Sequence, residues 1–119
     1  MKKKVILISI IFIFIIIISF FTINLFSNKT FFKNKYIGLQ NQEIYIPKFS
    51  YFKDECCMTA ATFYSFRSEK TLKKEIANYM KDFEYFENEN TYGYQKDDLF
   101  IQSYEVIDNG LYRKIVIVY

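Results

Sequence analysis

Residues 99–119 read L-F-I-Q-S-Y-E-V-I-D-N-G-L-Y-R-K-I-V-I-V-Y. Two runs rich in β-branched and aromatic residues, Leu99 to Ile107 and Leu111 to Tyr119, flank Asp108-Asn109-Gly110. Asn-Gly suits the positive φ angles of a type I′ turn, so the stretch predicts a β-hairpin with Asn109 and Gly110 at its tip. A two-residue loop pairs Asp108 with Leu111 and Ile107 with Tyr112. It also sets Glu105 opposite Lys114 as an opposite-charge pair. The chain therefore ends in antiparallel sheet.

Upstream, residues 84–98 (E-Y-F-E-N-E-N-T-Y-G-Y-Q-K-D-D) read as an acidic connection with room for a short strand near Tyr92 to Tyr94. Asp82, Glu84, Glu87, Glu89, Asp97 and Asp98 crowd this region, but no calcium-loop pattern is present, so they read as solvated acids. Ahead of it lies the clearest soluble helix. Ser68 is its N-cap, Glu69 suits the positive end of the dipole, and Leu72, Ile76, Tyr79, Met80 and Phe83 form one apolar stripe. Lys70, Lys73, Lys74 and Lys81 lie off that stripe, which fits a helix covering a sheet with solvated lysines. Residues 57–66 favour a strand with Met58, Ala60, Tyr64 and Phe66 on one face, a helix over 55–65 being the alternative. Ile44, Ile46, Phe49 and Tyr51 suggest extended chain broken by Pro47, a residue suited to strand ends. The sum is an α+β domain over residues 44–119: an antiparallel sheet of three to five strands packed against one amphipathic helix.

The other end of the chain is of another kind. Val5 to Phe26 holds ten Ile, five Phe, two Leu and one Val in 22 residues, with no charge, Gly or Pro. As a helix this run extends roughly 33 Å, against about 30 Å of bilayer hydrocarbon. A cleaved export signal has a shorter apolar run, about 7–15 residues, followed by small residues that are missing here. A buried core helix would need more covering chain than the remaining residues supply. The run reads as an uncleaved transmembrane signal anchor. Lys2, Lys3 and Lys4 form a basic tail (residues 1–4) on the cytoplasmic side, and residues 27–43 form a polar juxtamembrane linker. Lys29, Lys33 and Lys35 flank the far side, with Phe31, Phe32 and Tyr36 as interface anchors.

The charge divides the same way. Residues 1–35 carry six lysines and no acid, whereas residues 36–119 carry ten basic and thirteen acidic side chains. A slightly acidic domain lacks the clustered positive field that nucleic acid requires, so nucleic acid is not expected as a partner. Lys, Asn, Ile, Phe and Tyr make up 65 of the 119 residues. All have AT-rich codons, which points to a low-GC, bacterial source and lessens the meaning of the many aromatics.

Chemistry-bearing motifs are few. The chain has no His, and neither phosphate-loop nor nucleophile-elbow motifs occur. Hence no catalytic, metal or cofactor residues are expected, and no cofactor. The adjacent pair Cys56-Cys57 is the one unusual dipeptide. Most simply, one cysteine is a small buried hydrophobe and the other incidental. The sharper readings are an intermolecular disulfide or a vicinal redox pair closing a strained eight-membered ring. The expected role is a single-pass, membrane-anchored interaction or accessory module of envelope or immunity type, facing outward, with a protein or envelope component as partner. A small surface enzyme using carboxylates or a cysteine, and a cytoplasm-facing regulator, are the alternatives; homo-oligomerisation is left open.

The turn assignment is testable. Gly110→Val forces a β-branched residue to positive φ and is expected to destabilise the domain by more than about 1 kcal/mol. An unchanged denaturation midpoint would place the turn elsewhere.

Overall fold

The computed structural model describes residues 2–38, 41–57 and 59–119. Helix α1, Lys2–Ser27, contains the whole apolar run and is long and apolar enough to cross a membrane. None of its residues is buried. The rest is α+β: strands β1 (Lys35–Ile37), β2 (Glu43–Tyr45), β3 (Tyr51–Cys56) and β4 (Ala60–Ser65), helix α2 (Glu69–Met80), then β5 (Glu84–Glu87), β6 (Tyr92–Lys96), β7 (Leu99–Ile101), β8 (Ser103–Asp108) and β9 (Arg113–Val118). All pairings are antiparallel. The main sheet has the order β3-β4-β9-β8, and two smaller sheets are β1-β2 and β5-β6-β7.

Helix α2 forms where the stripe predicts it. The Ser68 side chain accepts a hydrogen bond from the Thr71 N–H at 3.2 Å, which satisfies a donor left free in the first turn. Leu72 and Ile76 are buried, and Tyr79 and Met80 pack partly against the core. The core joins these to Tyr36, Ile44 and Ile46 from the β1-β2 side, Ala61 and Phe63 from β4, Ile101, and Ile115 and Ile117 from β9. Residues 60–65 are strand, not helix, and the inward face carries Ala61, Phe63 and Ser65. Ala60 and Tyr64 occupy the other face, Phe66 lies beyond the strand at 79% exposure, and Met58 falls outside the described residues.

The terminal hairpin forms with a different register. Asp108 faces Arg113, Ile107 faces Lys114 and Glu105 faces Val116, so the loop has four residues and the expected Glu105–Lys114 pair does not occur. A shift of two keeps every side chain on its face, so the apolar pattern cannot select between the registers. The turn chemistry does. Asp108 Oδ1 accepts from the Gly110 N–H at 2.8 Å and from Arg113 Nη1 at 3.3 Å, and the Asn109 N–H donates to the Tyr112 carbonyl at 2.9 Å. Gly110 has φ +89°, whereas Asn109 does not have positive φ, so the turn is not type I′.

Three further readings need correction. Leu99 to Ile107 is not one strand: it breaks at Gln102, whose N–H donates to the Val118 carbonyl at 2.7 Å, and the two halves join different sheets. The acidic connection at 84–98 holds the short strand expected near Tyr92 to Tyr94, as β6, but also β5, and so carries most of a three-stranded meander. Tyr85 and Tyr94 meet across it as a tilted pair with centroids 5.3 Å apart. Gly93 lets the Phe100 ring close over β6, since a Cβ there would stand 2.6 Å from that ring. Finally, residues 27–43 do more than link. Thr30 and Tyr36 are each 1% exposed, and β1 pairs with β2. The folded unit therefore begins before residue 44, and Tyr36 is a core residue instead of an interface anchor.

Deleting residues 1–27 is expected to leave a fragment, 28–119, that melts cooperatively. Fragment 44–119 lacks Tyr36 and β1, and a melt followed by circular dichroism should show no cooperative transition. Truncating one buried aromatic typically costs about 3–5 kcal/mol, a large share of the stability of so small a domain. Equal melts for the two fragments would refute the role assigned to Tyr36.

Candidate functional site

Beyond Ser27 the chain is fastened to β3. Asn28 Oδ1 accepts from the Phe52 N–H at 2.9 Å, and Asn28 Nδ2 donates to the Phe52 carbonyl at 3.1 Å. Thr30 Oγ1 donates to the Ser50 carbonyl at 2.7 Å, and Ser50 Oγ donates to the Pro47 carbonyl at 2.6 Å. Thr30 and Ser50 are buried, so these bonds are shielded from competing water. The joint brings two surfaces together at the end of the domain next to α1.

One is cationic. Lys29, Lys33 and Lys35, spread over seven residues in sequence, line one concavity of about 280 Å³ with Thr30, Tyr36 and Ile37. Among the described residues no acidic side chain lines it. Lys29 Nζ stands 4.7 Å above the Phe52 ring, and Lys35 reaches Glu43 at 3.8 Å, an exposed pair of little energetic weight. Lys2, Lys3 and Lys4 lie exposed in the first turn of α1, at its opposite end.

The other is aromatic. Phe31, Phe49, Tyr51, Tyr64, Phe66 and Tyr112 face Phe21 and Leu25 of α1 across a groove of about 380 Å³. Phe31 packs on Phe49 at 5.6 Å, and Phe26 stacks on Phe32 at 4.7 Å. Asn109 and Gly110 belong to this same end, since their turn joins the ends of β8 and β9 beside Tyr112. Leu111 projects from that turn at 87% exposure. The aromatics come from four separate segments, so the linear sequence does not display the groove. Only Phe31 and Phe32 announced it.

At the far end of β3, Cys56 and Cys57 are paired with each other as a vicinal disulfide. Both are exposed, so neither is the buried hydrophobe expected, and Cys57 takes φ +60° in the turn to β4. Beside them the Tyr36 hydroxyl donates to the Glu55 carboxylate and lies 3.0 Å from the Tyr119 hydroxyl. Beyond this end comes the meander, where Tyr85, Glu87, Tyr92 and Tyr94 share one face. Tyr85 and Tyr92 are more than half exposed, and the Tyr85 hydroxyl donates to Glu87 at 3.3 Å. Between residues 82 and 98 there are six acids and a single lysine. The domain is thus basic and aromatic beside α1, and acidic and tyrosine-bearing away from it.

In comparisons with known proteins, no family model, curated protein or solved structure matches the chain.

Burial, and then the bond to Glu55, push the Tyr36 phenol well above its ordinary value of 10.0. Burial does the same to Tyr104, whose hydroxyl donates to the Tyr45 carbonyl at 2.6 Å. The folded state keeps these protons while the unfolded chain releases them, so the stability they give is complete below about pH 10 and falls as pH rises further. In a spectrophotometric titration of the eleven tyrosines, two are expected to ionise only as the domain unfolds. Ionisation of all of them in one step, with the fold intact, would contradict the packing of Tyr36 and Tyr104.

Proposed function

We propose that this chain is a single-pass membrane protein whose outward-facing domain is a non-catalytic interaction module. The observation that carries the reading is the tyrosine–glutamate face of β5 and β6, set at the end of the domain away from α1. Exposed tyrosines supply rigid contact area with a polar tip, and the surrounding acids favour a partner with a basic surface. The partner is thus a protein or envelope component carrying a cationic patch. Lys2, Lys3 and Lys4 stay on the cytoplasmic side, because moving each across the membrane works against the potential by about 2.3 kcal/mol per 100 mV. The later lysines oppose this orientation weakly, since long translocated domains largely escape the charge rule. An immunity or envelope-assembly role suits such a module.

A photoreactive phenylalanine analogue at Tyr92, in the full chain in intact cells, is expected to give one discrete adduct with a second protein. Glu87→Lys should abolish it. Adducts only between copies of this chain, or adducts insensitive to Glu87→Lys, would count against the module. A reporter fused after Tyr119 should be active only outside the cytoplasm, and activity confined to the cytoplasm would favour a cytoplasm-facing regulator.

A further inference from the structure

We propose that the domain sits on the bilayer, with the aromatic groove beside α1 holding acyl chains of the leaflet from which α1 emerges, and with Lys29 and Lys33 meeting its anionic headgroups. This rests on the reading of α1 as a membrane span.

Depth is the first argument. Phe21, Asn24 and Leu25 form one wall of the groove, and all three belong to the uncharged, mostly apolar run. At a rise of about 1.5 Å per residue, Phe21 lies roughly 8 Å inside the end of that run at Phe26. A groove that reaches Phe21 is therefore open to hydrocarbon, not to water. Its other wall is aromatic, and large apolar side chains stand exposed around it: Phe66 at 79%, Leu111 at 87%, Phe32 at 51% and Phe49 at 42%. In water this would be a costly patch; in the interfacial layer it is a favourable one.

Rigidity is the second. The Asn28 and Thr30 bonds make the packed domain begin directly after Ser27. The Asn28 N–H donates to the Leu25 carbonyl at 3.2 Å while Phe26 stacks on Phe32 at 4.7 Å, so swinging the groove clear of the membrane breaks these contacts with α1. Charge is the third. Lys29 and Lys33 line a concavity just beyond the last turn of α1, and Lys48 lies 5.6 Å over Phe49 at the groove. The acids of the meander gather at the opposite end. An anionic surface attracts the first end and repels the second, which gives the seated orientation. A second copy of the chain would meet the same basic end with its own, so lipid suits the site better.

The chain contains no tryptophan, so one introduced residue is a unique fluorophore. Phe66→Trp, Leu111→Trp, Phe12→Trp and Tyr92→Trp are made in the full chain. Each is reconstituted in phosphatidylcholine vesicles containing about a quarter phosphatidylglycerol, with and without brominated acyl chains. Bromine is expected to quench Phe66→Trp and Leu111→Trp at least about two-fold, as it does Phe12→Trp, and to leave Tyr92→Trp unchanged. Lys29→Gln with Lys33→Gln should weaken the quenching at position 66. If Phe12→Trp is quenched while Phe66→Trp and Leu111→Trp behave like Tyr92→Trp, the seating fails and the anchor stands. If Phe12→Trp is also unquenched, the anchor reading fails and the seating with it. Emission from Phe66→Trp that changes with the protein-to-lipid ratio would assign the groove to a second copy and overturn the proposal.

Discussion

The side-chain amide of Asn28 closes the open edge of β3, and the arrangement of α1, the groove and the lysines follows from it. β3 is an edge strand, and at Phe52 both backbone groups point away from β4. An edge of this kind invites pairing with another chain unless it is covered. Here a side-chain amide, which presents the same donor and acceptor as a peptide unit, takes the place of a neighbouring strand. The register of β3 against β4 is irregular between Phe52 and Asp54, next to the joint. Each such bond contributes on the order of 1 kcal/mol, more where water is excluded, as at Thr30 and Ser50. Aspartate at position 28 would offer the acceptor but lose the donor. Alanine would lose both.

From that joint the division of the domain's surface follows. Chain leaving α1 must turn at once to reach Ser50 and Phe52, and this turn gathers Lys29 and Lys33 on one side and Phe31 and Phe49 on the other. The main sheet then leads away from α1, and the meander attaches at its far end through Gln102. In the proposed arrangement the two ends do different work: the near end meets lipid, and the far end is left free for a partner. The exposed Cys56–Cys57 pair lies at the far end too, beside the Tyr36–Glu55 bond that ties β1 to β3.

Local signals in the sequence were legible where one short-range rule decides the outcome. The stripe from Leu72 to Phe83 and the Ser68 cap announce α2, and Asn109-Gly110 announces a reversal of the chain. The apolar run to Phe26 announces α1. The hairpin's register was not legible, because Glu105–Lys114 and Asp108–Arg113 are both opposite-charge pairs and differ by two residues, which leaves the inward faces unchanged. The core role of Tyr36 was hidden by its polar neighbours. It depends on contacts with Phe52, Phe63 and Tyr119, and Tyr119 is 83 residues away in sequence. Of the meander only the strand near Tyr92 to Tyr94 was legible, because β5 (E-Y-F-E) and β6 (Y-G-Y-Q-K) carry no alternating apolar period. The Asn28 joint had no signal at all, since one asparagine after a helix looks like any other polar linker residue.

The coupling of α1 to the domain is the claim on which the rest turns, and the backbone amide of Phe52 reports on it directly. Hydrogen exchange should be measured residue by residue on the full chain in lipid nanodiscs. The Phe52 amide lies on an edge strand and points away from β4, so only the Asn28 side chain can protect it. Slow exchange in the native chain, released in Asn28→Ala while the central-strand amides of β4 and β9 stay protected, is the result expected. Rapid exchange at Phe52 in the native chain would mean that the Asn28 joint does not hold the segment after α1 on β3, and the account given of the groove and its lysines would be wrong.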